Sequence, residues 1–412
     1  MRLIRITILL TISLIPGLLF LIIVLILRPF YLVRWGELES SRLGHFAGNT
    51  ELYCCERDHG INRPDKPYID LFYQYSNVVC NQQLAKMWKR ELTIVPRIFR
   101  PILVIATRSI TVLNYISPIY KNHLIMISTN HDRDVLNLLD KTEQHIHFTY
   151  DEKIKGKDWL LNNNIPSNAK IILLMVRDNA YLKYETSVYH CEKHKYRDCD
   201  INNFIAVAEE LANMGFYVIR MGFHVNEALN STHPLVIDYA KNGMRNDFMD
   251  IYLSSICKFI ISTGHGAEAP AAWCFRKPRV IVNQCPTGIL QTWSNKDLLL
   301  TKHHILQHEN RELMLSEIFS EGVGYCMVTQ CYIDKHIKLK ENTPNEICDI
   351  TMEMVSRLDG SWNPEPEDEF LQNRFWEIFP VEVKNDSGTP IHGEIKALFG
   401  ANYLRDNPVW LQ

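Results

Sequence analysis

The chain has 412 residues, of which 46% are hydrophobic and 22% are charged. This length suits two domains of ordinary size, and the composition predicts packed cores, which excludes a disordered or fibrous chain. The formal net charge is −3, and there is no arginine-rich run or zinc-finger spacing, so nucleic acid is excluded as a partner. The 11 cysteines are scattered without a Cys-x-x-Cys pair, which favours buried, reduced thiols over a disulfide framework.

The N-terminal segment is strongly apolar. No charged residue occurs between Ile6 and Leu27, and at about 1.5 Å per residue this run is long enough to span a hydrocarbon core of about 30 Å. It does not end at the small residues of a cleavable signal peptide. We therefore expect residues 1–35 to form a transmembrane anchor in a bacterial inner membrane, crossing it once. Arginines are balanced on either side of the run, and the cysteines favour a cytoplasmic main body.

Three further regions follow the anchor. Residues 36–165 contain short apolar runs and are expected to form an N-terminal α/β domain on the acceptor side. In residues 166–330 buried strands alternate with helices, which predicts a largely parallel, doubly wound sheet. Residues 331–412 are expected to be a C-terminal extension, mainly helical. The predicted strands of the second domain are Lys170–Val176, Phe216–Met221, Phe259–Ser262 and Val280–Asn283, and the predicted helices include 201–211, Phe248–Ile256 and Gly266–Phe275.

A glycine-rich turn joins a predicted strand to a predicted helix. Thr263, Gly264, His265 and Gly266 follow the strand directly, and in that context backbone N–H groups and the helix N-terminus favour a bound phosphate. An ordinary tight turn is the alternative. Glu268, in the first helical turn, would bond a ribose hydroxyl or serve only the helix dipole.

Two arginines end predicted strands. Arg177 follows the first strand of the second domain and is suited to bind pyrophosphate in a bidentate way, through two N–H groups. The alternative is a surface arginine that only pairs with Asp178. Arg220 ends the next strand and would reach the same crevice or point into solvent. In the first domain, His45 beside Gly44 is the candidate catalytic base, with a structural histidine as the alternative.

Asp-x-Asp triplets are the usual metal ligands of metal-dependent transferases, and this chain has two. Asp132 and Asp134 form one, and Asp198 and Asp200 form the other. Because Asp134 and Asp200 each precede a helical pattern, capping of a helix explains them without a metal. We predict no metal at the donor site and no cofactor.

Several motifs together resemble a family of bacterial glycosyltransferases of surface-polysaccharide assembly, over most of the chain after the anchor. They are His147-Phe148-Thr149, Val176 to Leu182, Tyr196 to Ile201, Arg220-Met221-Gly222, Asp247 to Leu253, Ile261 to Gly266, Arg374 to Glu377 and Asn402-Tyr403-Leu404.

The resemblance implies a GT-B-like architecture, with two Rossmann-like domains facing across a cleft. The sugar nucleotide would bind in the C-terminal domain and most of the acceptor in the N-terminal domain. Arg177-Asp178 also resembles the pyrophosphate-binding motif of GT-B fucosyltransferases. Met175 stands where that motif has histidine, so a fucosyl donor is not indicated.

The expected function is transfer of a sugar from a nucleoside diphosphate sugar to a glycan or lipid-linked glycan at the membrane. Two alternatives stay open from the sequence. One is another group transferase on the same architecture, such as a pyruvyl transferase. The other is a membrane-bound assembly scaffold without catalysis.

Overall fold

The structure is a computed structural model. It describes residues 2–75, 78–125, 127, 133–185, 188–264, 266–290, 294–385 and 388–412, without the side chains of 2–12, 185 and 188–190. The chain divides into two compact units. The first comprises residues 1–132 and 142–148, and the second comprises 133–141 and 149–412.

In its described residues, the first unit contains a small parallel sheet and four α-helices. Strands β1 and β2 pair in parallel, and single bridges extend the sheet through Leu124 beside β1 and Ile94 beside β2. Among the described residues, this sheet is smaller than the sheet of the Rossmann-like domain that the resemblance implies. The elements are α1 (Arg2–Leu27), β1 (Leu32–Leu38), α2 (Leu43–Asp58), β2 (Tyr68–Gln74), α3 (Gln82–Glu91) and α4 (Arg100–Asn114).

The predicted transmembrane anchor is wrong, and the inner-membrane location with it. In the part of the chain that the structure describes, no helix combines the length and the apolar character needed to cross a membrane. The described side chains of α1 pack within the unit instead: Leu21 and Val24 are buried in one cluster with Leu103 and Ala106 of α4. Gly17 lies so close to α4 that a Cβ atom there would be 2.7 Å from Ile105 Cγ2. Packing on α4 therefore uses apolar residues that the sequence analysis assigned to lipid.

The second unit is a mixed α/β unit around a large parallel sheet. Seven strands run in the order β12-β8-β7-β6-β3-β4-β5, and every pairing in it is parallel. Its strands are β3 (Ile171–Met175), β4 (Tyr217–Arg220), β5 (Val236–Ile237), β6 (Ile260–Ser262), β7 (Arg279–Gln284), β8 (Leu298–Thr301) and β12 (Leu398–Phe399). A separate antiparallel sheet contains β9 (His303–Leu306), β10 (Arg311–Glu312) and β11 (Ile337–Lys340).

Helices cover this sheet because its central strands are apolar on both faces. All five residues of β3 are buried, as expected for a strand between two layers of helices. Ile172 and Leu174 share one core with Val207 and Leu211 of α8. The helices of the unit are α5 (Tyr150–Asn162), α6 (Ala180–Glu185), α7 (Val188–Lys193), α8 (Ile205–Asn213), α9 (Asp247–Ile256), α10 (Leu315–Ser320), α11 (Thr329–Asp334), α12 (Pro344–Asp359), α13 (Asp368–Ile378) and α14 (Ala401–Asp406).

The cysteines are mostly free thiols. Nine are free, and Cys326 and Cys331 form a disulfide that the sequence analysis did not predict. The two bonded residues flank the start of α11, five positions apart. A pair this close in sequence gives no spacing signal by which the bond could be anticipated.

Candidate functional site

The strand order of the large sheet reverses between β3 and β6. From β3 the chain passes outward through β4 and β5, then returns to β6 on the other side of β3 and continues outward through β7 and β8. In open parallel sheets, ligands bind beyond the carboxyl ends of the strands at such a reversal. β3 ends at Met175 and β6 ends at Ser262, and these two residues are register partners. The segments that follow them therefore lie side by side.

Arg177 and Thr263 meet at this point, although 86 residues separate them. The backbone N–H of Arg177 donates to Thr263 Oγ1 over 3.0 Å. The backbone N–H of Thr263 donates in turn to the Met175 carbonyl over 3.3 Å. The two predicted donor-binding segments thus share one rim of the sheet.

Gly264 occupies a conformation that requires glycine. Its φ is +68°, and a Cβ atom built on it would overlap the side-chain oxygen of Gln284. Its N–H donates to Ser262 Oγ over 3.1 Å. His265 lies outside the described residues, and Gly266 is exposed at the start of a short 3-10 turn, Gly266–Glu268.

The helix predicted over Gly266–Phe275 is not a regular α-helix. The 3-10 turn is followed by a π-helical turn, Pro270–Cys274. Proline has no N–H to donate to the preceding turn and clashes with its carbonyl, which disfavours a regular helix through Pro270. A helix dipole at the rim therefore contributes little, and any anion there must be held by side chains and individual N–H groups.

Glu268 belongs to a buried ionic network. Ser262 Oγ donates to one of its carboxylate oxygens, and Arg279 Nη1 donates to the other over 2.9 Å. Arg279 also donates to Asp297, with Nη2 2.6 Å from Oδ2. Both oxygens of Glu268 are thus engaged, and its side chain is 1% exposed. The arrangement joins the start of β7 to the turn after β6.

Three cationic side chains gather at the rim. Arg177 Nε lies 3.5 Å from Asp198 Oδ1. Arg197 Nη2 donates to the Gly264 carbonyl over 2.9 Å, and Lys302 Nζ donates to the Asp198 carbonyl over 2.6 Å. We call Arg177, Arg197 and Lys302 the rim cluster. Its three cations lie close to the Asp198 carboxylate and to the backbone carbonyls of Asp198 and Gly264.

The electrostatics of the rim cluster favour an added anion. Burial and, to a smaller extent, the neighbouring Arg197 guanidinium lower the pKa of Arg177 to about 10, and Asp198 only partly opposes them. The pKa of Asp198 is raised by burial, although Arg177 acts to lower it. A phosphate or pyrophosphate bound beside Arg177 would stabilise its charged form.

Sequence reasoning missed Arg197 and Lys302 as site residues. Arg197 lies in a 3-10 turn, Lys195–Arg197, after the polar segment that follows β3. Lys302 directly follows β8, which was not among the predicted strands. The sequence did contain a signal for β8, because Leu298 to Leu300 form a short apolar run. A residue that directly follows such a strand is expected at the same rim of the sheet.

A cavity of about 510 Å³ lies beside the cluster, and of the three cations Lys302 lines it. Its lining is of mixed charge and includes Asp178, Tyr196, Asp198, Arg220, Lys302 and Glu341. The Asp178 carboxylate fixes one wall, since it accepts from the backbone N–H groups of Ala180 at 2.9 Å and Asn226 at 2.7 Å. The cavity is large enough for a drug-sized ligand such as a nucleotide.

Arg220 lines the cavity and is buried. Its side chain is 1% exposed, and Nη1 donates to the Glu227 carbonyl and to Asp238 Oδ2, the latter at 3.3 Å. These bonds tie the end of β4 to the loop before β5 and to the residue just after β5. The side chain therefore shapes the wall of the cavity.

The remaining sequence candidates lie elsewhere. His45 is half-buried in the first turn of α2, in the first unit. Asp132 lies outside the described residues. The capping role predicted for Asp200 is confirmed, because it accepts from the Asn202 N–H at 2.9 Å at the start of a 3-10 turn, Ile201–Phe204. The helix predicted after Asp134 is wrong: residues 133–149 form turns, and the Asp134 carboxylate accepts there from the N–H groups of Leu138 at 2.8 Å and Leu139 at 2.7 Å.

Comparison with known proteins shows a similarity of structure. No family model matches the chain, and no curated protein matches it. A solved structure of a glycosyl transferase family 9 protein from Veillonella parvula is similar over 60% of this chain and 79% of that chain, with 10% sequence identity and a TM-score of 0.37. At that TM-score the similarity decides neither the fold nor the activity of this chain.

Proposed function

We propose that the protein transfers a sugar from a nucleoside diphosphate sugar to a glycan or lipid-linked glycan, and that the rim cluster binds the donor pyrophosphate. The observation that carries this proposal is the convergence of Arg177, Arg197 and Lys302 at the reversal of strand order, beside a cavity of nucleotide size. The motif resemblance supports the same reaction class.

The chemistry asks for positive charge where the leaving group forms. As the bond between the sugar carbon and the phosphate oxygen breaks, negative charge develops on the departing nucleoside diphosphate. Cations fixed in a partly buried site stabilise that charge without reorganising. With three cations at the rim, we propose that donor binding needs no divalent cation.

The acceptor hydroxyl must lose a proton as it attacks. We propose His45 as the base that takes this proton, on the first unit. Its role differs from that of the rim cluster, because it acts in the chemical step and not in donor binding. Substitutions in the rim cluster should therefore weaken donor binding, whereas substitution of His45 should slow turnover.

The test is calorimetric titration with UDP, GDP and their sugar conjugates, with and without Mg²⁺. A partly buried arginine–phosphate contact contributes roughly 1.5–3 kcal/mol, so Arg177→Ala should weaken nucleotide binding about tenfold to a hundredfold. Arg197→Ala and Lys302→Ala should weaken it similarly. Mg²⁺ should leave the affinity of the parent protein unchanged.

Two variants serve as comparisons. Arg311, on β10, is exposed and pairs with Glu317 on α10. Arg311→Ala should therefore bind nucleotide like the parent. His45→Ala should bind like the parent but turn over more slowly. If Arg177→Ala binds every nucleotide as tightly as the parent, the proposed pyrophosphate site is wrong. A parent protein that binds no nucleotide would favour the scaffold or a transferase with a different donor.

A further inference from the structure

A cluster of metal-ligating side chains lies in the first unit. Glu51 and Cys55 are one turn apart on α2, so both project from the same side of that helix. His145 comes from residues 142–148, which belong to the same unit. One donor atom from each of the three lies within 4.8 Å of the others.

The distances suit a small ion with tetrahedral geometry. Glu51 Oε1 lies 3.0 Å from His145 Nδ1 and 4.0 Å from Cys55 Sγ. Zinc bonds of about 2.0–2.3 Å place neighbouring tetrahedral ligands about 3.3–3.7 Å apart, so small side-chain adjustments would bring all three atoms onto one ion. The Glu51 side chain is fully buried and that of His145 is 6% exposed, which limits competing water.

A second carboxylate orients the histidine. Asp58 Oδ2 lies 3.1 Å from His145 Nε2, the ring nitrogen that does not face Glu51. Histidines that bind metals usually donate their other ring N–H to a carboxylate, which fixes the tautomer and the direction of the ligand nitrogen. Asp58 occupies that position.

We propose that Glu51, Cys55 and His145 bind one zinc ion. The combination of thiolate, imidazole and carboxylate is typical of zinc and unlike the all-oxygen sites of magnesium or calcium. The ion fastens residues 142–148 to α2, in addition to the hydrogen bond between Thr142 and His59 at the end of α2. A further hydrogen bond joins the His147 carbonyl to Arg90 on α3.

An ion pair without metal is the competing arrangement. A protonated His145 between Glu51 and Asp58 accounts for both short distances. It predicts no zinc in the protein and no effect of Cys55 on metal content. Cys55 therefore decides between the two.

The experiment measures zinc in full-length protein purified without a metal-binding tag, loaded with zinc and dialysed against zinc-free buffer. The parent should retain about one zinc ion per chain. Cys55→Ser and His145→Ala should fall to background. Cys54→Ser is the matched control, because Cys54 is an equally buried neighbour and should leave the zinc content unchanged.

Two further measurements test the site even if a substitution that disturbs the fold causes zinc to be lost. Cobalt added to the metal-free parent should give a thiolate-to-cobalt charge-transfer absorption, which Cys54→Ser keeps and Cys55→Ser loses. Asp58→Asn should weaken zinc binding about tenfold to a hundredfold in competition with a chelator. A parent that retains no zinc, or a Cys55→Ser variant that retains as much as the parent, would overturn the proposal.

Discussion

Two separate constraints, one of backbone conformation and one of space, favour glycine at position 264 on the rim. Gly264 has a positive φ, and the space where a side chain would begin is filled by Gln284. The Gln284 amide is itself held, because Nε2 donates to the Ile289 carbonyl over 2.7 Å. Gly215, after α8, has a φ of +87° but nothing within 4 Å of a built Cβ atom. Comparing substitutions at the two glycines therefore distinguishes the cost of a positive φ from the cost of steric overlap.

We expect Gly215→Ala to cost about 1–2 kcal/mol from the left-handed conformation alone. Gly264→Ala should cost roughly 1 kcal/mol more, because Gln284 must move and break its hydrogen bond. It should also weaken nucleotide binding, since the Gly264 carbonyl holds Arg197. Urea unfolding and calorimetric titration of both variants measure these effects. Equal unfolding free energies for the two variants would contradict the steric argument.

The sequence indicates some of these residues and not others, for a physical reason. Arg177 and Thr263 could be predicted to meet because strand ends in a parallel sheet share an edge, whatever the loops do. Arg197 could not be placed, since a 3-10 turn after a long polar segment carries no hydrophobic period. Glu268 could be located on the turn, but its partner Arg279 depends on tertiary packing.

At the scale of elements, Arg279 holds three segments together. It begins β7, reaches Glu268 in the turn after β6, and reaches Asp297 just before β8. Its side chain is fully buried, and those of its two partners are each 1% exposed. An arginine between two buried carboxylates cannot be removed without leaving negative charge in the core.

Arg279→Met should therefore lower the unfolding free energy by about 3–5 kcal/mol, the usual effect of removing one partner of a buried ion pair. Arg374→Met is the comparison, since Arg374 pairs with Glu377 at an exposed site, 42% and 66% exposed. It should change stability by at most about 1 kcal/mol. Chemical denaturation of both proteins provides the measurement, and similar losses in the two would show that the buried network contributes little.

Element prediction succeeded where one pattern dominated the segment. The predicted strand Lys170–Val176 is β3, and the predicted helix Phe248–Ile256 is α9 within one residue. It failed where a tertiary pairing competed with helical spacing. The C-terminal extension over 331–412, expected to be mainly helical, also contains an edge strand, Leu398–Phe399, which pairs with β8 just before α14. Two residues of strand are too short to show the alternating pattern by which strands are recognised.

Across the whole molecule, the α/β class and the parallel sheet follow from the alternation of strands and helices, because few chain paths connect parallel strands. The N-terminal helix shows the opposite case. An apolar run is compatible with lipid or with a protein partner, and the hydropathy of one segment does not reveal that α4 packs against it. Such partners lie outside any local pattern.

Stability of the second unit should depend on pH through two adjacent histidines with opposite behaviour. His303 on β9 contacts Glu312 on β10 at 2.8 Å and Glu346 on α12 at 3.2 Å, and its ring lies 5.9 Å from that of Tyr403. Burial lowers the pKa of His303, but the two carboxylates outweigh burial and raise it to about 9. His304 is fully buried, and burial lowers its pKa to about 4.

The sign differs for the two residues. A raised pKa in the folded state means that His303 stabilises the protein fully below about pH 6.5, and that this stabilisation, on the order of 2–3 kcal/mol, is lost as pH rises through about 9. His304 must stay neutral, so it costs stability as pH falls from about 6.5 towards 4. His303→Gln should therefore flatten the alkaline side of the stability profile and lessen the acid loss slightly, because the charge of His303 helps to lower the pKa of His304. His304→Asn should flatten only the acid side. Urea unfolding from pH 4 to 9.5 measures both profiles. If the parent and His303→Gln lose stability equally between pH 6.5 and 9, the ion pairs that join β9, β10 and α12 do not hold His303 in its charged form.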